Sequence, residues 1–172
     1  SNMLVLTTAP QVVAYNVTNG RAVASWLAKS GDANAFVVPA IVEPASSRLL
    51  AVQRGGRLIS WADAADDLDD AKTMKLKKDV FALRACPTAR SALLVYVDGS
   101  AALVDPATMT PLASVSAPKA AGEVVGAWCV PVSRGGTSVD SVVMVLFERS
   151  GGGKGGAGRA RARSSSAASR AS

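Results

Sequence analysis

Apolar residues recur along this chain in short runs of strand length, punctuated by Gly, Pro, Asn and Asp. No stretch before Ser150 holds a persuasive helical period. The first run is Leu4–Ala9, closed by Pro10, and Val12–Val17 follows it. Thr18-Asn19-Gly20 then turns the chain into Arg21–Leu27, because Asn-Gly tolerates the positive φ values of a tight hairpin. Ala35–Val42 is nearly continuous in apolar residues, as a strand buried on both faces must be, and Pro39 predicts a bulge or irregular end within it. Arg48–Val52 and Arg57–Asp63 form a hairpin through Arg54-Gly55-Gly56. An acidic loop, Ala64–Asp70, leads to the alternating strand Ala71–Lys77 and then to the apolar Val80–Pro87. Further strands are expected at Ala92–Val97, Ala101–Asp105 (after the Asp98-Gly99 turn), Pro111–Ser116, Glu123–Val132 and Val142–Glu148. Ser133–Ser141 is expected as a polar loop between the last two.

The pattern repeats. The run Ala35–Val42 recurs at Asp79–Cys86 and at Glu123–Val130, about 44 residues on each time, and Leu49–Val52 recurs at Leu93–Tyr96. Tyr15, Trp61 and Val104 fall at equivalent places in successive units. A period of about 40–45 residues with four strands per unit is that of a β-propeller blade. One four-stranded sheet cannot cover both of its faces, and sheets stacked radially cover each other. The expected fold class is therefore all-β, a partial WD40-like propeller over residues 1–149 with two complete and two partial four-stranded blades. The apolar first strand of each unit is expected at the centre and the polar fourth at the rim, where Lys72, Lys75, Lys77 and Lys78 discourage edge pairing. A closed ring usually needs at least four complete blades, so the chain is expected to be a truncated piece, an incomplete gene product, or an N-terminal part whose remaining blades lie elsewhere. A β-sandwich has a similar strand count, but the regular spacing argues against it.

Charge divides the chain. Of the net +6, residues 150–172 carry +5 (Lys154, Arg159, Arg161, Arg163 and Arg170, with no acid), and the other 14 basic residues face all 13 acids. This Gly/Arg/Ser tail has no large apolar residue with which to offset ordering entropy and is expected to be disordered. Its five cations suit phosphate contacts without base readout. The plainer alternative is a solvated end with no partner. Gly151–Gly158 lacks the Ser or Thr after Lys154, and the following helix, that a phosphate loop requires.

Candidate chemistry is sparse. There is no histidine among the 172 residues, which removes Ser-His-Asp and Cys-His catalysis and His-ligated metals. Cys86 and Cys129 lack CxxC spacing. They could form one bridge, but both fall in apolar strand patterns and are read as buried thiols in a reduced, intracellular compartment. The acids Asp63, Asp66, Asp67, Asp69 and Asp70 lack the spacing of a calcium loop and are read as a solvated connection rather than a cation site. No run of 18 uncharged apolar residues or secretory leader is visible, and Ser1-Asn2 before Met3 reads equally as a cloning remnant or as part of a longer chain. No catalytic, cofactor or metal residues are assigned, and neither a small-molecule substrate nor a membrane is expected as a partner. Trp26, Trp61 and Trp128 are expected to pack in the core. Trp61 ends its strand as in WD-type blades, without the usual Asp turn or Gly-His pair.

The stretch from Arg57 to Ala85 also resembles the nucleolar protein 11 family. A strand ending in Trp61 precedes an acidic loop holding Leu68-Asp69, then an alternating strand through Leu76, then Asp79-Val80-Phe81. Leu58 matches within the same stretch, the upstream hairpin residues Tyr15, Ser25 and Trp26 also match, and the similarity covers about Leu4 to Ala85 before fading after Val97. The resemblance implies an N-terminal propeller without catalytic activity, acting in the nucleolus in small-subunit processome assembly and in ribosomal RNA processing and transcription. Its partners would be other ribosome-assembly proteins, with pre-ribosomal RNA reached through the tail. A generic propeller adaptor for peptides, without a nucleic-acid role, is the alternative. Deleting residues 150–172 is expected to abolish salt-dependent RNA binding and flatten its salt slope, measured by filter binding from low to physiological salt.

Overall fold

The structure, a computed structural model, describes residues 3–62, 71–86, 90–119, 122–134 and 138–148. The acidic loop and the basic tail lie outside them. The described chain folds into four antiparallel sheets in sequence order. The first is β1 (Met3–Thr7), β2 (Gln11–Asn16) and β3 (Ala22–Leu27). The second is β4 (Ile41–Glu43), β5 (Arg48–Gln53), β6 (Arg57–Trp61) and β7 (Lys72–Lys75). The third is β8 (Val80–Cys86), β9 (Ser91–Tyr96), β10 (Ala101–Asp105) and β11 (Thr110–Val115). The last is the long hairpin β12 (Glu123–Arg134) and β13 (Ser138–Glu148). Each sheet is a simple meander of neighbouring strands, so two sheets are complete four-stranded units and two are partial, as the repeat requires.

The sheets stack face to face, and three apolar cores lie between them. Period-2 alternation divides each middle strand between two cores. In β5, Leu49 and Ala51 join Val12, Ala14, Trp26 and Trp61 between the first and second sheets. Leu50 and Val52 point the other way and meet Leu83, Leu94 and Val104 between the second and third. In β9, Leu93 and Val95 then meet Val124 and Ala127 of the last sheet. The Trp26 and Trp61 rings lie 5.6 Å apart, tilted, and lock the first core. This succession of sheets excludes the two-layer sandwich.

Two expectations are corrected. Ala35–Val42 is not one strand. Phe36 makes an isolated bridge to Gln53, and pairing resumes only at Ile41. Pro39 has no N–H to donate and interrupts the ladder between. The strands buried on both faces are instead inner ones of the complete units, β5 and β9 along most of their length and β6 from Leu58 to Trp61, because they have a strand on either side and a sheet against each face. Of the polar stretch Ser133–Ser141, the described residues Ser133, Arg134 and 138–141 are strand rather than loop. β12 and β13 run on to Arg134 and from Ser138, since their cross-strand pairing continues through alternating residues. The rim strands behave as expected: β7 is mostly exposed and all six residues of β11 face water.

Local chemistry closes the hairpins. Gly56 and Gly99 have φ of 70° and 82°, the conformation their tight turns need. Gly99 also lies against the Phe147 ring, where any Cβ would collide. Glu43 and Asp105 each precede a Pro-Ala-Ser/Thr turn. Glu43, fully buried, accepts from the Ala45 and Ser46 amides at 3.0 and 2.7 Å and from the Ser46 hydroxyl at 2.5 Å. Asp105 accepts from the amides of Ala107 and Thr108 at 2.7 and 3.3 Å, which holds its carboxyl below the usual range. Replacing Leu94, fully buried in the middle core, by Ala is expected to cost about 3 kcal/mol in denaturant unfolding. Replacing the exposed Leu112 on β11 by Ala should stay within about 0.5 kcal/mol.

Candidate protein-interaction surface

The two end sheets bury one face each and leave the other apolar. On the first sheet, Val12, Ala14 and Trp26 point into the core. The alternate positions Leu4, Leu6, Val23 and Leu27 point outward, and Leu4 and Leu6 are 50% and 49% exposed. On the last sheet, Val124, Ala127 and Cys129 face the third sheet, with Val143, Val145 and Phe147 packed beside them. Trp128, Val130, Met144 and Leu146 face water, with Trp128 at 47% and Leu146 at 51%. Trp128 stands directly opposite Met144, and its indole lies over Gly126, where a side chain would displace it. Contiguous apolar sheet faces of this kind mark surfaces that pack against another protein element. Trp128 therefore is not a core residue, contrary to expectation, whereas Trp26 and Trp61 are.

Polar groups hold the sheets in register along their seams. The buried Ser60 hydroxyl donates to the Pro106 carbonyl at 2.8 Å, and Lys72 donates to the Ala107 carbonyl at 2.8 Å, both tying the second sheet to the third. Arg84 donates to the Ala127 carbonyl at 3.2 Å across the next seam. Where β7 passes to β8, Lys78 donates to Asp98 at 2.6 Å and to Ser100 at 2.8 Å and stands 5.7 Å over the Tyr96 ring. A cavity of about 200 Å³ opens beside it, lined by Val52, Gln53, Leu76, Lys78 and Val80. Among the described residues, no group of three or more His, Cys, Asp or Glu side chains gathers as a metal site would. The tail residues Lys154, Arg159, Arg161, Arg163 and Arg170, assigned to phosphate contacts from sequence, lie outside the described residues, as do Asp63, Asp66, Asp67, Asp69 and Asp70.

In architecture the chain is similar to solved β-propellers of the WD40-like kind. It matches Saccharomyces cerevisiae Sqt1 with a TM-score of 0.66 at 11% identity, over 86% of this chain and 39% of that one. It matches BBS1N, solved in complex with ARL6DN, with a TM-score of 0.61 at 15% identity, over 84% of this chain and 44% of that one. BamB from Moraxella catarrhalis matches with a TM-score of 0.51 at 15% identity, over 84% and 42%. The chain thus spans about two fifths of each neighbour's length. No family profile and no curated protein matches it in sequence. The fold these neighbours share is a propeller, and this chain forms an arc of one.

The Lys78–Asp98 pair carries a pH signature. Hydrogen bonds from Lys78, then from the Ser100 hydroxyl and amide, lower the Asp98 carboxyl to about 2. Its contribution to stability is complete above the ordinary Asp range and is lost as pH falls through about 2. Asp98→Asn is expected to lower stability at neutral pH by less than about 1 kcal/mol, since each side chain is 49% exposed. The gap from wild type should close in acid, read from urea midpoints at several pH values.

Proposed function

We propose that this chain is a non-enzymatic propeller scaffold whose end faces bind protein partners in nucleolar small-subunit ribosome assembly. The observation that carries the scaffold role is the pair of open apolar sheet faces at the two ends of a propeller arc, Leu4 and Leu6 on one and Trp128 and Met144 on the other. What these faces take is the apolar face of another β-sheet, as each middle sheet already does. The ribosomal assignment is supported by the resemblance to the nucleolar protein 11 family. Several positions that carry it are packing residues: Trp26 and Trp61 in the first core, Leu58 and Leu76 in the second. The basic tail supplies the contact to pre-ribosomal RNA through Lys154, Arg159, Arg161, Arg163 and Arg170.

Affinity purification of the tagged full chain from nuclear extract is expected to recover small-subunit assembly factors together with pre-ribosomal RNA. The double variant Trp128→Asp, Met144→Asp is expected to lose at least about tenfold of the protein partners, because two charges would be buried against an apolar face. Recovery of other proteins without assembly factors would favour the generic adaptor. Recovery unchanged by the double variant would show that the last sheet's outer face is not the binding surface.

A further inference from the structure

Cys86 ends β8, and Cys129 lies within β12. β8 packs beside both β4 and β12, which makes these the adjoining first strands of successive sheets. The two cysteines are 43 residues apart, one position off the roughly 44-residue repeat. Their thiols meet across the third core, with the Cys129 Sγ donating to the Cys86 Sγ at 2.8 Å. We propose that this pair is a redox-responsive cross-blade site, which closes to a disulfide when the protein meets a low-molecular-weight disulfide such as oxidised glutathione.

The geometry assigns different roles to the two sulfurs. Cys129 is partly exposed, whereas Cys86 is 1% exposed, within the third core. Small reagents therefore reach Cys129. Its thiolate attacks one sulfur of the oxidant, an S–S bond forms to Cys129, and one glutathione leaves as thiolate. Cys86 then loses its proton to solvent base and attacks the Cys129 Sγ, and the second glutathione thiolate leaves. The protein gives up two electrons and two protons, and the oxidant is reduced to two thiols.

The cysteine side chains already point at one another, and a short approach brings the sulfurs to the bonded separation of about 2.05 Å. Burial pushes the Cys86 thiol up to about 12, with the neighbouring Cys129 sulfur adding to it, so the first attack is not its own. Ser91 is the cross-strand partner of Cys86, and its buried hydroxyl makes no hydrogen bond of normal geometry among the described residues. It stands beside the sulfur and favours the thiolate, which places a donor where the second step creates charge. The bridge would fasten the two-stranded last sheet, and with it the Trp128–Met144 face, to the third sheet.

Oxidation of the full chain with excess oxidised glutathione at mildly alkaline pH tests this directly. Both thiols should become untitratable after denaturation while the protein stays monomeric. A non-reducing tryptic digest should join the peptide of residues 85–90 to that of residues 120–134. The thermal midpoint should rise by roughly 5 °C and return on addition of dithiothreitol. In Cys129→Ser the same treatment should leave Cys86 titratable and the midpoint unmoved. Two persistent thiols, glutathione adducts without an internal bridge, or only intermolecular dimers in the wild type would overturn the proposal. A midpoint rise that survives in Cys129→Ser would overturn the attribution to the bridge.

Discussion

Face-to-face packing of twisted sheets is the interaction on which the rest of this structure depends. A strand places successive side chains on opposite faces, so a sheet in the middle of the stack must be apolar on both. β5 and β9 meet that demand with uninterrupted Leu, Ala and Val, and their alternate residues feed different cores. The packing is built mainly from small and medium side chains, with Trp26, Phe36 and Trp61 as the large exceptions. Because each core belongs to two sheets, loss of one sheet would strip a face from the next.

The polar interactions serve this packing rather than compete with it. Ser60, Lys72 and Arg84 reach backbone carbonyls on the neighbouring sheet, which sets the sheets' relative position where apolar contact alone would let them slide. Glu43 and Asp105 satisfy turn amides beside the core. The same logic explains the end faces. Leu4, Leu6, Trp128 and Met144 follow the pattern of a strand with sheet on both sides, yet only one side of each end sheet is covered within this arc. An apolar face of that kind is one that a further packing element would cover.

Much of the fold was legible in the chain because its information is local. The turns at Asn19-Gly20, Gly55-Gly56 and Asp98-Gly99, the roughly 44-residue period and the lysines of β7 together predict sheet number, strand order and rim. Where reading failed, a local signal was outweighed by its surroundings. Ala35–Val42 looked like a buried strand by composition, but Pro39 breaks its ladder. Ser133–Ser141 looked like a loop by polarity, but hairpin pairing extends the strands into it. The acid-Pro-Ala-Ser/Thr turns after Glu43 and Asp105 were a repeated signal in plain view that carries the caps.

The sequence by itself determined an all-β propeller arc of two whole and two partial sheets, since alternation and turn chemistry act within a few residues. Only the tertiary structure decided which strands are buried on both faces, that Trp128 faces outward while Trp26 and Trp61 face in, and that Cys86 and Cys129 meet. Those outcomes depend on which sheet covers which face, a relation between residues tens of positions apart that no local pattern encodes.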